Sequence, residues 1–75
     1  MNILIVEDEK SLAGEIAEFL RSENFLCETV FSGKEASEKI AVNLYDFILL
    51  DLGLPDYEGL NLIKEAKKNN SEASF

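Results

Sequence analysis

Two uninterrupted apolar runs, each passing straight into carboxylates, constrain this chain more than anything else in it. Phe47-Ile48-Leu49-Leu50 leads into Asp51, and Ile3-Leu4-Ile5-Val6 leads into Glu7-Asp8-Glu9. A continuous rather than alternating apolar run marks a strand buried on both faces, as in a parallel sheet covered by helices. Open α/β sheets place their ligands beyond the carboxyl ends of such strands. Gly53 and Pro55 follow Asp51 closely. One tolerates backbone angles that other residues resist and the other lacks the donor a ladder needs, so the strand breaks and the carboxylate is presented on a loop. Taken singly, each carboxylate reads as a solvated residue at the start of a loop. Two acidic clusters, each directly after a buried strand, point instead to a site.

The segments between these runs carry a helical period. From about Ser11 to Glu23, Leu12, Ile16, Phe19 and Leu20 form an apolar stripe, with Glu15, Glu18 and Arg21 on the other face. Asn24 ends that helix, and Phe25 to Phe31 supplies a further strand. Ser32 and Glu35 match a capping box, opening a second helix whose apolar side is Ala36, Ile40 and Ala41 and whose end is marked by Asn43. A third helix is predicted from about Glu58 to Lys68, with Leu60, Ile63 and the stem of Lys67 facing inward. Asn69 to Phe75 has no period and reads as a frayed tail. The order is β-α-β-α-β-α, and right-handed crossovers turn that alternation into a parallel sheet with helices on both faces.

Composition narrows the functions open to such a chain. Its 75 residues allow a single domain with a thin core, and an apolar share of 47% is ordinary for a globular protein. Fifteen acidic residues against seven basic ones give a net charge of −8. That balance argues against direct binding to nucleic acid or to an anionic membrane surface and favours cations and basic partner surfaces. The lone Cys27 has no internal disulfide partner and sits in an apolar run as a small hydrophobe. No apolar stretch approaches membrane-spanning length, and Ile3 to Val6 is too short for a signal peptide. A reducing, cytoplasmic setting is the expectation.

If the strands at 2–6 and 46–51 are neighbours, Glu7, Asp8 and Asp51 converge at one edge of the sheet. Three carboxylates so close repel one another unless a cation or a proton intervenes. Mg²⁺ suits such a place, because it takes a few carboxylate oxygens and leaves positions for water and phosphate oxygens. The backbone carbonyl of Gly53 could complete the protein's share. A carboxylate can also attack phosphorus to form an aspartyl phosphate, with the adjacent cation stabilising the transferring group.

These residues together resemble the receiver domain of bacterial two-component response regulators. The resemblance rests on Val6-Glu7-Asp8-Glu9, the run Tyr45 to Leu52, the Leu54-Pro55 turn and Glu58-Gly59-Leu60, and it covers Met1 to about Asn70. It implies a flavodoxin-like sheet, here limited to three βα units in the strand order 2-1-3 of a five-stranded 2-1-3-4-5 arrangement. It further implies that Asp51 is the phosphoryl acceptor and that Glu7 and Asp8 belong to the Mg²⁺ site, with Asp8 as the direct ligand and Gly53 contributing its carbonyl. The implied donor is a sensor histidine kinase, docking largely on the first helix. By the same resemblance the chain ends where a fourth strand would begin. The family's switch Ser or Thr and its Lys after the fifth strand have no counterpart, since Lys64, Lys67 and Lys68 lie on the third helix.

Two classes of function follow. One is a phosphoacceptor, part of a family that promotes its own phosphorylation and dephosphorylation but here lacks groups that serve that chemistry. The other is a self-associating half-domain without competent phosphotransfer. In the second, the apolar strand at 46–51 forms a sheet edge and pairs with a second copy to give a homodimer.

Overall fold

The computed structural model describes residues 1–69 and 74–75. Its elements are β1 (Asn2–Val6), α1 (Lys10–Ser22), β2 (Leu26–Val30), α2 (Gly33–Val42), β3 (Phe47–Leu50) and α3 (Gly59–Asn69). The strands form one parallel sheet, as the alternation predicts, in the order β2-β1-β3 that the resemblance implies. Ile3 to Val6 pair with Cys27 to Val30 on one side and with Phe47 to Leu50 on the other. Among the described residues no helix is long and apolar enough to cross a membrane.

Burial follows from this order. The central strand β1 is hydrogen-bonded on both sides and covered on both faces, so Ile3, Leu4, Ile5 and Val6 are all buried. Alternate β1 residues serve two separate cores. Leu4 and Val6 meet α2 and α3 through Ala36, Ile40, Leu62 and Ala66, while Ile3 and Ile5 meet α1 through Ala13 and Ala17. At β3 the expectation of burial on both faces fails. Only Ile48 is buried: Phe47 and Leu49 on the α1 face and Leu50 on the α2–α3 face are half-exposed, because β3 is an edge strand.

The helix ends obey their local chemistry. Asn24 takes a left-handed φ of 70°, and the N–H groups of Asn24 and Phe25 donate to the carbonyls of Arg21 and Leu20. This is the Schellman arrangement that satisfies the last carbonyls of a helix. Ser32 caps α2 by accepting from the Glu35 N–H at 3.2 Å. The inward faces differ from those the apolar stripes predict. Ala13 and Ala17 lie against the sheet with Ile16 and Leu20 flanking them, whereas Phe19 is 64% exposed and Leu12 39%. Small residues allow α1 to approach β1 closely, which rotates the larger side chains outward. The same holds for α3, where Leu62 and Ala66 are buried while Leu60 is exposed and Ile63 half-buried. Lys67 is also exposed, its ammonium lying over the Phe75 ring. On α2, Ala36 and Ile40 face the core and Ala41 does not.

The outer edge of β3 is not bare along its whole length. Ser74 forms a parallel bridge with Phe47: its N–H donates to the Asp46 carbonyl at 3.1 Å, and its carbonyl accepts from the Ile48 N–H at 2.8 Å. The predicted frayed tail is therefore corrected at Ser74, because among the described residues no other strand satisfies those ladder groups of β3, and α3 includes Asn69. The rest of that tail, residues 70–73, lies outside the described residues. The accessible surface of 4764 Å² is close to the roughly 4600 Å² of a folded monomer this size.

One polar link secures the bottom of the sheet. Tyr45 is buried, its hydroxyl donates to Glu28 Oε1 at 3.0 Å, and Lys39 pairs with Glu28 Oε2 at 3.1 Å. Lys39, then the Tyr45 hydroxyl, hold the Glu28 carboxyl below its usual range against some desolvation. A depressed folded pKa contributes stability that is complete above the unfolded carboxylate range and fades as pH falls through the lower folded value. Tyr45→Phe should cost about 1 kcal/mol near neutral pH, lowering the midpoint by about 4–8 °C in thermal melts. The difference from the parent should shrink once acid protonates Glu28.

Candidate functional site

The parallel register decides where the carboxylates emerge. Val6 is level with both Val30 and Leu50, and the ladder continues one step further, with Glu7 N–H donating to the Val30 carbonyl at 3.1 Å and Asp51 N–H to the Val6 carbonyl at 3.0 Å. Glu7 and Asp51 therefore leave adjacent strands at the same height. Glu7, Asp8 and Asp51 each bring a carboxylate oxygen to within 4.8 Å of the others. Glu7 and Asp51 are half-buried and Asp8 is exposed. All three residues named from the sequence thus meet at one point.

The electrostatics of the cluster are those of crowded like charges. The Glu9 N–H, donating to Glu7 Oε1 at 3.2 Å, pulls the Glu7 pKa down. Desolvation and the charges of Asp51 and Asp8 outweigh it and leave the carboxyl raised. Among the described residues none of the three carboxylates is ion-paired with a lysine or arginine. Lys10, two residues beyond Asp8, lies over the Phe31 ring instead, 5.2 Å from its centroid. A set of hard, anionic oxygens this close together fits a small divalent cation.

The loop after Asp51 is folded back on the site. Gly53 N–H donates to Asp51 Oδ1 at 2.8 Å, an Asx-type turn that fixes the plane of the carboxylate. A side chain at Gly53 would come within 3.3 Å of that oxygen, so glycine keeps the approach to the carboxylate open. Leu54 is buried in the core under α2 and α3. Asp56 then accepts from two backbone donors at the start of α2, Gly33 N–H at 2.9 Å and Lys34 N–H at 3.1 Å. Those bonds hold the Asp56 carboxyl below its ordinary pKa. Tyr57 packs on Gly33, and its hydroxyl bonds Glu65 of α3, which also accepts from Ser37 of α2. None of these anchors was foreseen from the sequence, because each joins residues too far apart for a local pattern to reveal. Their only local trace was the glycine directly after the Ser32 cap.

Comparison with known proteins supports the same fold. A family model for the response regulator receiver domain matches residues 3–74. The response regulator ArlR of Staphylococcus saprophyticus is 44% identical over 69 residues, which is 92% of this chain and 31% of that protein. The chain thus spans about a third of the length of the curated relatives it matches. Among solved structures, response regulator TrrA of Thermotoga maritima in complex with Mg²⁺ and BeF superposes with a TM-score of 0.86 at 32% identity, covering 96% of this chain and 63% of that one. A response regulator from Burkholderia pseudomallei, crystallised with a phosphorylated aspartic acid and a calcium ion, gives 0.88 at 26% identity over 96% of this chain and 42% of that one. With the β2-β1-β3 parallel order, the acidic strand ends and a family match over nearly its whole length, this chain belongs to the response regulator receiver domains, the signalling modules of two-component systems.

Proposed function

We propose that this receiver domain is a phosphoacceptor, with Asp51 as the residue modified and Mg²⁺ as its cofactor. The observation that carries the reading is the convergence of Glu7, Asp8 and Asp51 within 4.8 Å at the carboxyl edge of the sheet. Asp8 and Asp51 would hold the ion directly with the Gly53 carbonyl, and Glu7 would complete the acidic surround. When bound, the ion offsets the crowded negative charge and stabilises the charge of the transferring group. Asp51 Oδ1 is held by the Gly53 N–H, which leaves Oδ2 as the attacking oxygen. Its lone pair forms the new O–P bond while the P–N bond of a phosphohistidine breaks, and the departing imidazole nitrogen takes up a proton. The donor is a sensor histidine kinase, and the setting is cytoplasmic.

A second reading has one observation in its favour. Among the described residues the β3 edge has no further pairing at Leu49 and Leu50, and an apolar depression between α1 and β3 is lined by Ile3, Leu20, Phe25, Phe47 and Leu49. Pairing of two such edges antiparallel would give a homodimer with a six-stranded sheet, a half-domain serving association rather than phosphotransfer.

Mg²⁺ titration followed by NMR should shift the signals of Glu7, Asp8, Asp51 and Gly53 first, and shifts confined to the helix surfaces would count against the site. Incubation with a small-molecule phosphodonor and Mg²⁺ should add one phosphoryl group by intact mass. Asp51→Asn should abolish it, since an amide cannot form the acyl phosphate; labelling that persists in this variant moves the acceptor elsewhere. For the second reading, sedimentation equilibrium and melts at several concentrations decide. A dimer predicts a midpoint that rises with concentration, and a concentration-independent monomer removes it.

A further inference from the structure

The β3–α3 loop is held from outside the acidic cluster, by groups of α2 and α3, whereas the three clustered carboxylates follow the ends of β1 and β3. Asp56 places both carboxylate oxygens on the first N–H groups of α2, where unsatisfied donors and the helix dipole favour a negative charge. That end of α2 is already capped locally by Ser32, which takes the Glu35 N–H, so Asp56 satisfies donors that Ser32 does not reach. The next residue, Tyr57, sits so tightly on Gly33 that a Cβ there would fall 2.0 Å from the Tyr57 Cβ. Its hydroxyl reaches Glu65, and Ser37 donates to the same carboxylate. α2 therefore grips the loop at two consecutive residues, three and four positions after Gly53. At the other end the loop is tied to Asp51 by the Gly53 N–H.

We propose that Asp56 and Tyr57 are positioning residues: by clamping the loop to the N-terminal turn of α2, they set where the Gly53 carbonyl stands relative to Asp51 and so tune the cation affinity of the site. The proposal rests on the cation-binding reading above. The two residues between Gly53 and Asp56, Leu54 and Pro55, have few ways to move when both ends are fixed. Releasing the Asp56 end restores backbone freedom to Gly53, which must then be ordered again each time the ion binds. The partners of Asp56 and Tyr57 are Gly33, Lys34 and Glu65, so in this reading they act only through the loop. Outer partners of this kind commonly carry a tenfold or larger share of metal affinity.

The test uses the 75-residue chain and Mg²⁺ alone, comparing the parent with Asp56→Ala, Asp56→Asn, Gly33→Ala and, as a stability control remote from the site, Tyr45→Phe. Two quantities are read: the Mg²⁺ dissociation constant from the Gly53 amide shift, and hydrogen exchange of the Gly33, Lys34, Leu52 and Gly53 amides without metal. Asp56→Ala should weaken Mg²⁺ roughly tenfold and speed exchange at Leu52 and Gly53. Asp56→Asn, which keeps one acceptor oxygen, should fall between. Gly33→Ala displaces Tyr57 while leaving the Asp56 carboxylate in place, and should weaken binding as well. Tyr45→Phe should lower the melting midpoint and leave the affinity unchanged. Parent-like affinity in both Asp56→Ala and Gly33→Ala overturns the proposal, as does a loss no larger than that of Tyr45→Phe. If the parent itself fails to bind Mg²⁺, the cation-site reading falls. The exchange data then decide the clamp alone, and unchanged exchange at Leu52 and Gly53 in Asp56→Ala refutes it.

Discussion

Parallel pairing of β1 with both of its neighbours is the constraint on which the rest of this structure depends. In a parallel pair the chain leaves both strands at the same edge, so whatever follows each strand is brought together whether or not the residues attract. Here Glu7 and Asp51 follow residues that stand level in the ladder, and they are assembled against their own repulsion. The free energy for this comes from the sheet. Ile3 to Val6 are removed from water on both faces, and their burial offsets the desolvation and the crowding that raise the Glu7 carboxyl. An antiparallel arrangement of the same strands would have put Asp51 at the opposite edge and left no cluster at all.

The cores on the two faces divide the work. On one, α2 and α3 pack against Leu4, Val6 and Ile48 and carry the residues that grip the loop after Asp51. On the other, α1 approaches through Ala13 and Ala17, which brings the start of the helix, and the Glu7-Asp8-Glu9 turn before it, close over the end of β1. Each half of the site is thus borne by a different layer. The sheet supplies the common reference between them.

Much of this was legible in the sequence, and the reasons for the remainder are physical. Continuous apolar runs identified β1 and β3, and the acids after them identified the cluster, because both are local patterns tied to a backbone geometry. The Ser32 cap and the Asn24 terminus were equally plain, since capping is decided within a few residues. Helix faces were less so. A stripe drawn through the large apolar residues of α1 missed that Ala13 and Ala17 are the contact, for close packing selects small side chains as readily as hydrophobic ones. The Asp56 anchor and the Ser74 bridge could not be read at all. They join residues 22 and more positions apart, and nothing in the composition of either segment names its partner.

The Ser74 bridge also changes what the sheet edge presents to other molecules. Any strand that adds to β3 from outside must compete for the Asp46 carbonyl and the Ile48 N–H with a residue tethered to the same chain. An intramolecular competitor acts at an effective concentration that a free partner reaches only in the millimolar range. At Phe47 the edge is therefore harder to extend than an unpaired strand would be. A strand that displaced Ser74 would have to offer more than the two backbone hydrogen bonds that Ser74 makes, which a short segment with only its backbone to offer does not.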